Sequence, residues 1–236
     1  MSLKTAQDNQ TMYRQKKTQK TRKKGSSHMN IGIIGSGNIG ANAARLFAKA
    51  GHQVAIANSR GPETLEGVVE QIGPNVRATN VEEAATFGEL AMEAIPFGRY
   101  EELPREALSG RIVVSASNYY PGRDGALDLG GLAQTEALAR HLSGSRVVKA
   151  FNTIYHERLA NEGRPGAPLE ERLAIFVAGD DEEAKRVVST LIEEIGFAPV
   201  DTGTLAESRR QEPGAKIYNT PLTATEAREL LSEERW

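Results

Sequence analysis

The chain has 236 residues, 39% of them hydrophobic and 25% charged, and its formal net charge is −2. It contains no cysteine, which excludes disulfides, thiolate nucleophiles and cysteine metal sites, and which makes the cytoplasm the expected location. No apolar run reaches the roughly 18 residues that a membrane-spanning helix needs, so we expect a globular protein without a membrane partner.

The first 28 residues differ from the rest of the chain in charge. They carry eight lysine or arginine side chains and one acid, Asp8, whereas the remainder is acidic overall. The stretch GSSHM at 25–29 is typical of an expression tag, and MNIGIIG is typical of a natural start at Met29. We interpret 1–28 as a tag or a disordered basic arm. The acidic remainder argues against a nucleic-acid partner.

Residues 30–59 have the pattern of a strand, a helix and a second strand. The apolar run around Ile31 and Ile33 is typical of a buried parallel strand, and a helical spacing of apolar residues follows as far as Gly51. A second clear helix is predicted over 181–195. Further strands are predicted at 76–80, 90–96, 111–117, 146–152, 173–179 and 198–201. This alternation predicts an α/β fold with a mostly parallel sheet.

A glycine-rich loop joins the first predicted strand to the first predicted helix, and its GxGxxG spacing in that context is typical of dinucleotide binding. Gly35 permits the tight turn, Gly37 lets the backbone approach a pyrophosphate, and Gly40 lets the helix lie close to the sheet. The N terminus of the helix offers free N–H groups to the phosphates. We therefore expect the whole loop to bind the cofactor, namely Gly35, Ser36, Gly37, Asn38, Ile39 and Gly40.

The end of the second predicted strand indicates which dinucleotide is bound. NAD-binding proteins commonly place an acid there to accept from the ribose hydroxyl, but this chain has Asn58, Ser59 and Arg60. A carboxylate would repel a 2′-phosphate, whereas a serine can donate to it and an arginine can bind it with charge-assisted hydrogen bonds. This triplet predicts NADP as the cofactor; a solvated arginine in a surface loop is the alternative.

Polar and aromatic residues follow three later strands, at the edge of the sheet where doubly wound folds bind ligands. Pro96 and Phe97 follow one strand, with the core as the alternative place for the phenylalanine. Asn118 and Asn152 follow two others, with a role in turns as their alternative. His156 is interpreted as an exposed helix residue, because no partner can be identified for it.

Several stretches together resemble the NADP oxidoreductase, coenzyme F420-dependent family, which comprises predicted dinucleotide-binding enzymes related to deazaflavin:NADP reductases. They are IGIIGSGNIG, ANSRGPE, SASNYYPGRDG, VKAFNT and PVDTGTLAESRRQEPG. The resemblance covers about residues 29–220. It implies that Ser59 and Arg60 bind the 2′-phosphate and that Pro96 and Phe97 are the proline–aromatic pair after the fourth strand. Met92 and Glu93 depart from the more apolar fourth strand that is usual in this family.

The resemblance also implies a Rossmann-like, doubly wound sheet with a small C-terminal α/β lobe. Residues 29–152 would form the NADP-binding Rossmann domain, and 153–236 would form a lobe that completes a substrate cleft. The implied function is an NADP(H)-dependent oxidoreductase that passes hydride between NADP and a flavin-like compound, such as a deazaflavin, or another small redox partner.

Hydride transfer needs alignment and exclusion of water rather than an acid–base pair. The sequence therefore identifies no catalytic residue, and it contains no pattern of metal ligands. A second interpretation is an NADPH-binding sensor or regulatory module without turnover. A homodimer is compatible with either interpretation.

Overall fold

The computed structural model describes residues 28–233. The predicted tag or basic arm at 1–28 therefore lies outside the described residues, apart from His28.

Eight strands form one sheet in the order β3-β2-β1-β4-β5-β6-β7-β8. The strands are β1 (Asn30–Ile34), β2 (Gln53–Ala57), β3 (Val76–Ala78), β4 (Leu90–Glu93), β5 (Ile112–Ser115), β6 (Arg146–Lys149), β7 (Ala174–Gly179) and β8 (Ala198–Asp201). Neighbouring strands are parallel except for β6 and β7, which pair antiparallel over two residues of each. The predicted α/β class with a mostly parallel sheet is confirmed.

Helices connect the strands and cover the sheet. They are α1 (Asn38–Lys49), α2 (Glu66–Ile72), α3 (Val81–Thr86), α4 (Arg105–Leu108), α5 (Pro121–Asp124), α6 (Gln134–His141), α7 (His156–Asn161), α8 (Glu182–Glu194) and α9 (Ala224–Glu233). Short 3-10 turns lie at Pro62–Leu65, Phe97–Glu102, Leu169–Glu171 and Ala206–Gln211. The long helix predicted over 181–195 is α8, whose N terminus is capped by the Asp181 side chain.

Both faces of the sheet are buried, because successive side chains of a strand point to opposite faces. Ile31 and Ile33 of β1 belong to one core cluster and Ile34 belongs to another. In β5, Ile112 and Val114 join the first cluster while Val113 joins the second. The short apolar runs of the sequence are therefore central strands with helices on each side.

Three predicted strands are too long at their C-terminal ends. The strands predicted over 90–96, 111–117 and 146–152 end at Glu93, Ser115 and Lys149. The residues that follow leave the sheet and turn across its edge. Pro96 has no N–H to donate to a sheet, and Phe151 has a left-handed backbone with φ 66°, so neither continues a strand.

The segment after β6 continues the same sheet through β7 and β8 rather than starting a new one. Its own small core lies around Phe176 and Val200, with Ala224 and Ala227 of α9 packed against them. The division into domains at 152/153 stays a prediction, since this lobe and the first six strands share one sheet.

Candidate cofactor and substrate site

Two cavities open at the carboxyl edge of the sheet, where the strand order reverses between β1 and β4. The smaller has a volume of about 210 Å³ and the larger a volume of about 420 Å³. Four residues line both of them: Gly37 after β1, and Ala94, Ile95 and Pro96 after β4. This point is where doubly wound sheets bind extended ligands, so the two cavities form one continuous candidate site.

The glycine loop lies between the two cavities. Gly35 has φ +112° and hydrogen-bonds through its N–H to the Ala57 carbonyl at 2.8 Å, which turns the chain tightly off β1. A Cβ on Gly40 would lie 1.9 Å from the Gly35 carbonyl oxygen, so helix and strand touch there. A Cβ on Gly37 would meet nothing within 4 Å and would project into open space. The three glycines therefore have the geometry that the sequence predicts for them.

The other loop residues divide between the two cavities. Ser36 lines the smaller cavity, while Asn38 and Ile39, in the first turn of α1, line the larger one. Gly40 lines neither, because it is buried against the strand. The loop and the free N–H groups of α1 thus border the passage from one cavity to the other.

The triplet after β2 borders the smaller cavity. Asn58 donates to Ser36 Oγ at 3.3 Å and to Thr64 Oγ1 at 2.9 Å, and its Oδ1 accepts from the Arg60 N–H at 2.8 Å. Asn58 and Ser59 line the cavity, while Arg60 is exposed one residue further on. Within the described part of the chain, the Arg60 guanidinium has no hydrogen-bond or ion-pair partner. Asn58 therefore orders the turn that presents the serine and the arginine.

A second arginine borders the smaller cavity and was not identified from the sequence. Arg99 lines the cavity, but its guanidinium donates to both carboxylate oxygens of Glu102 at 2.5–3.0 Å. The carboxylate of Glu102 therefore pairs with the charge of Arg99, whereas no residue in the described part of the chain pairs with the charge of Arg60. The pKa of Glu102 is held below its usual range by this hydrogen bond with Arg99.

The two residues of the predicted proline–aromatic pair lie in different environments. Pro96 lines both cavities. Phe97 is 1% exposed and lies in a core cluster, where its ring stacks on Tyr100 with a centroid distance of 5.0 Å. Its side chain lines neither cavity, so it takes the place in the core that the sequence left open as the alternative.

The two predicted asparagines meet at the wall of the larger cavity. Asn118 Nδ2 donates to the Asn152 carbonyl oxygen at 2.8 Å, and Asn152 Nδ2 donates to Asn118 Oδ1 at 3.0 Å and to the Gln211 carbonyl oxygen at 2.7 Å. Both are buried and both line the cavity. Asn152 Oδ1 is buried without a hydrogen-bond partner in the described residues. A buried amide oxygen of this kind is an unused acceptor for an N–H donor.

Aromatic residues form much of the remaining wall of the larger cavity. Tyr120 and Tyr218 hydrogen-bond to each other through their hydroxyls, although 98 positions separate them in the chain. Tyr155, which is 48% exposed, lies beside His156 with a ring distance of 4.7 Å. His156 begins α7 but is half-buried and lines the cavity, so its interpretation as a simply exposed helix residue was wrong. The reason is that α7 packs beside α1 next to the glycine loop.

Arg123 of α5 is the charged residue that the sequence reasoning missed in the larger cavity. Its guanidinium donates to the Asn118 carbonyl oxygen at 2.6 Å and to both Asp124 oxygens at 2.8 Å. It also lies 5.0 Å from the centre of the Tyr120 ring. The hydrogen bond with Arg123 is the main cause that holds the pKa of Asp124 below its ordinary value. Arg123 therefore joins the β5 loop to the aromatic wall.

Beneath the larger cavity lies a buried row of polar side chains that neighbour one another across three strands. Glu93 of β4 pairs with Ser115 of β5, which pairs with Lys149 of β6. Glu93 Oε1 accepts from Ser115 Oγ at 2.5 Å and from Ser117 Oγ at 2.8 Å, and Ser117 lines the cavity. Lys149 Nζ donates to Thr135 Oγ1 at 2.9 Å. The sequence contains a signal for this row, because the apolar strands β4 and β6 each end in a charged residue, Glu93 and Lys149.

Burial has the largest effect on the pKa values of the two ionisable residues in this row, Glu93 and Lys149. It raises the pKa of Glu93 above its ordinary value, against the opposing effect of the two serine hydrogen bonds. It lowers the pKa of Lys149 to about 8, although Glu212 and Glu93 act in the other direction. Both effects favour the neutral forms, as expected for ionisable groups away from water.

Within residues 28–233, no group of three or more histidine and acidic side chains is placed to hold a metal ion. None of the described helices is both long enough and apolar enough to cross a membrane.

The chain is similar to several known proteins. The family model described as NADP oxidoreductase, coenzyme F420-dependent, matches residues 30–119. The F420-dependent NADP reductase of Methanocaldococcus jannaschii is 30% identical, over 77% of this chain and 86% of the reductase. The crystal structure of a hypothetical protein, SMa0349 from Sinorhizobium meliloti, is 35% identical with a TM-score of 0.73, over 84% of this chain and 96% of that one.

Longer proteins are also similar to this chain. Metalloreductase STEAP3 of Rattus norvegicus is 31% identical over 77% of this chain, but the match covers 35% of the metalloreductase. The chain thus spans about a third of the length of the first curated relatives that it matches.

The structural match confirms the predicted α/β fold, and the family model and the archaeal reductase confirm the predicted family of NADP-dependent oxidoreductases. The chain belongs to the NADP oxidoreductase, coenzyme F420-dependent family.

Proposed function

We propose that this protein transfers hydride between NADP and a small redox partner that binds in the larger cavity. The observation that carries the proposal is the meeting of the two cavities at Gly37 and Ala94–Pro96. A dinucleotide laid across this point would have its adenosine end in the smaller cavity and its nicotinamide in the larger one. When bound, NADP supplies the hydride chemistry, and the protein supplies position and exclusion of water.

The cofactor contacts follow from the cavity walls. The 2′-phosphate would be bound by Ser59 and Arg60, and the pyrophosphate by the backbone of Gly35–Asn38 at the start of α1. The nicotinamide would lie against Pro96. Its carboxamide would donate to Asn152 Oδ1, the buried acceptor without a partner in the described residues.

The redox partner is proposed to be a flavin-like ring, with a deazaflavin as a candidate because the Methanocaldococcus jannaschii relative is an F420-dependent NADP reductase. The aromatic wall formed by Tyr120, Tyr155 and Tyr218 supports a planar partner, since such rings stack well on aromatic side chains. The cytoplasmic location and a homodimer stay predictions.

The test is oxidation of NADPH, followed by its loss of absorbance, with a panel of acceptors. The panel contains a deazaflavin, FMN, FAD, quinones and ferric chelates. Turnover with one or more acceptors, with higher kcat/KM for NADPH than for NADH, is the expected result. Tight binding of NADPH without oxidation by any acceptor would contradict the proposal and favour the sensor or regulatory module.

A further inference from the structure

The larger cavity contains a pair of phenols that the sequence does not reveal. Tyr120, in the loop after β5, and Tyr218, near the start of α9, both line the cavity and share a hydroxyl–hydroxyl hydrogen bond. In such a pair one hydroxyl donates its proton to the other, and the accepting hydroxyl keeps its own proton for a further partner. The cavity therefore has a phenolic O–H available to a ligand.

Arg123 distinguishes Tyr120 from Tyr218. The guanidinium carbon lies 5.0 Å from the centre of the Tyr120 ring, so a positive charge lies against that phenol. Tyr120 is 37% exposed and is therefore the more accessible of the two to a ligand, whereas Tyr218 is half-buried and burial raises its pKa.

We propose that Tyr120 is the proton donor to the second substrate, and that Tyr218 is the positioning residue that returns a proton to it. The substrate class is a planar conjugated ring whose carbonyl oxygen becomes an oxyanion when hydride is added, as in quinones. This inference rests on the proposed hydride transfer and adds the residue that completes it.

The proposed step balances in atoms and electrons. The acceptor ring gains a hydride, that is two electrons and one proton, from the reduced cofactor, whose C–H bond breaks. The resulting oxyanion takes the proton of Tyr120 as the O–H bond of the tyrosine breaks. The Tyr120 phenolate then accepts a proton from Tyr218, and bulk solvent at the partly exposed Tyr218 side chain reprotonates it. The net change is one hydride and one proton added to the acceptor.

Other titratable or charged groups also face this phenol pair or line the same cavity. They are Arg123 and Asp124 of α5, Tyr155, and His156 of α7. Arg123 and Asp124 pair with each other, so neither donates readily to a substrate. His156 is the rival donor, and the test must separate it from Tyr120.

The first measurement is steady-state reduction of menadione, a naphthoquinone, by NADPH in wild type and in Tyr120→Phe. Loss of a positioned general acid lowers rates by about 100- to 10,000-fold, so we expect kcat to fall by at least about 100-fold. The affinity for NADPH, measured by titration, should stay within about twofold of wild type. A Tyr120→Phe variant that retains kcat within about threefold overturns the proposal.

The matched control is Tyr100→Phe. The Tyr100 hydroxyl contacts Glu101 at 3.3 Å and its ring stacks on Phe97, outside both cavities. Removal of this hydroxyl should leave kcat unchanged. His156→Gln tests the rival donor: loss of kcat in His156→Gln together with full kcat in Tyr120→Phe would assign the proton to the histidine and overturn the proposal.

A second readout does not depend on turnover. A redox-inert phenol, 2-naphthol, is titrated in the presence of NADP, where its oxygen takes the place of the substrate oxygen. A lost neutral hydrogen bond should weaken its binding by about 3- to 10-fold in Tyr120→Phe and leave Tyr100→Phe unchanged. Equal affinity in wild type and Tyr120→Phe would show that this hydroxyl does not reach the ligand.

Tyr218→Phe keeps the test decisive if Tyr120→Phe does not fold. We expect an intermediate loss of kcat and a change in the solvent deuterium isotope effect, because proton return becomes slower. Unchanged kcat and isotope effect in Tyr218→Phe would overturn the relay. If the wild-type protein reduces none of the acceptors, the proposed function itself is contradicted. If wild type and Tyr120→Phe are both active, only the assignment of Tyr120 as the proton donor is contradicted.

Discussion

At the end of β2, the side chain of Arg60 extends into solvent one residue beyond Ser59, which lines the smaller cavity. Its guanidinium has no partner within residues 28–233, so an incoming phosphate would not have to displace an existing ion pair. Asn58 fixes the turn through its contacts with Ser36 and Thr64. The charge of Arg60 is thus available while its backbone is ordered.

Arg60→Ala should weaken NADPH binding by about 10- to 100-fold, the value of a hydrogen bond to a charged group. Binding of NADH should change little, because NADH has no phosphate at this position. The effect should shrink at high salt, since the residue is exposed and ions screen it. The measurement is the ratio of the two affinities by titration.

Arg99→Ala provides the comparison for this prediction. Arg99 lines the same cavity, but Glu102 already pairs with it, so its loss should change the affinity ratio much less. Ser59→Ala should show the selectivity of Arg60→Ala with a smaller loss, because a neutral donor forms a weaker bond. An equal fall in both affinities for Arg60→Ala would mean that the arginine supports the loop or the adenine instead.

At the scale of one element, two glycines at the start of α1, Gly37 and Gly40, have different surroundings. A Cβ at Gly37 would project into the open junction of the cavities, whereas a Cβ at Gly40 would lie 1.9 Å from a carbonyl oxygen. The first position leaves room for a ligand, and the second position lets α1 touch β1. Substitution by alanine should therefore separate cofactor binding from folding.

Gly37→Ala should fold with a thermal midpoint near that of wild type but lose most of its affinity for NADPH, because the new methyl occupies the pyrophosphate path. Gly40→Ala should be destabilised by about 1–3 kcal/mol, because the backbone must shift to remove the clash. Thermal unfolding and NADPH titration of both variants check the prediction. Full NADPH affinity in Gly37→Ala would refute the assignment of the phosphate cradle.

At the scale of the whole molecule, Lys149 lies fully buried in the middle of the sheet, where its positive charge opposes folding. Its pKa is lowered to about 8, from an ordinary value of 10.5. Between those two pH values the unfolded chain holds a proton on this lysine that the folded chain has released. The free energy of unfolding should therefore rise with pH across that window.

The contribution is on the order of 3 kcal/mol, at about 1.4 kcal/mol for each pH unit. It should be absent from Lys149→Met, which carries no charge at this position. Urea unfolding of wild type and Lys149→Met between pH 8 and 10.5 measures the difference, and Lys49→Met, at an exposed lysine, controls for general alkaline effects. Parallel pH dependences for wild type and Lys149→Met would show that the folded protein keeps the proton on Lys149 across this window, and would contradict the lowered pKa.

The fold could be predicted from short stretches of sequence, and the same stretches led to the proposed cofactor end of the site. The glycine loop, the Asn58–Arg60 turn and the apolar strands each depend on residues that are close in the chain. Their signals are local: helical and strand periodicities, a turn that requires positive φ, and a donor set that matches a phosphate. Strand lengths were overestimated because apolar residues beyond Glu93, Ser115 and Lys149 turn across the edge of the sheet.

The substrate end could not be predicted in the same way, because its groups come from distant parts of the chain. Tyr120 meets Tyr218, and Asn152 meets the Gln211 carbonyl, only when the segment after β6 folds back against the sheet. The burial of Phe97 likewise depends on what packs over it. The sequence by itself determined the class of fold and the kind of cofactor. The tertiary structure decided which side chains face the second substrate, because strand register and chain return bring those side chains together.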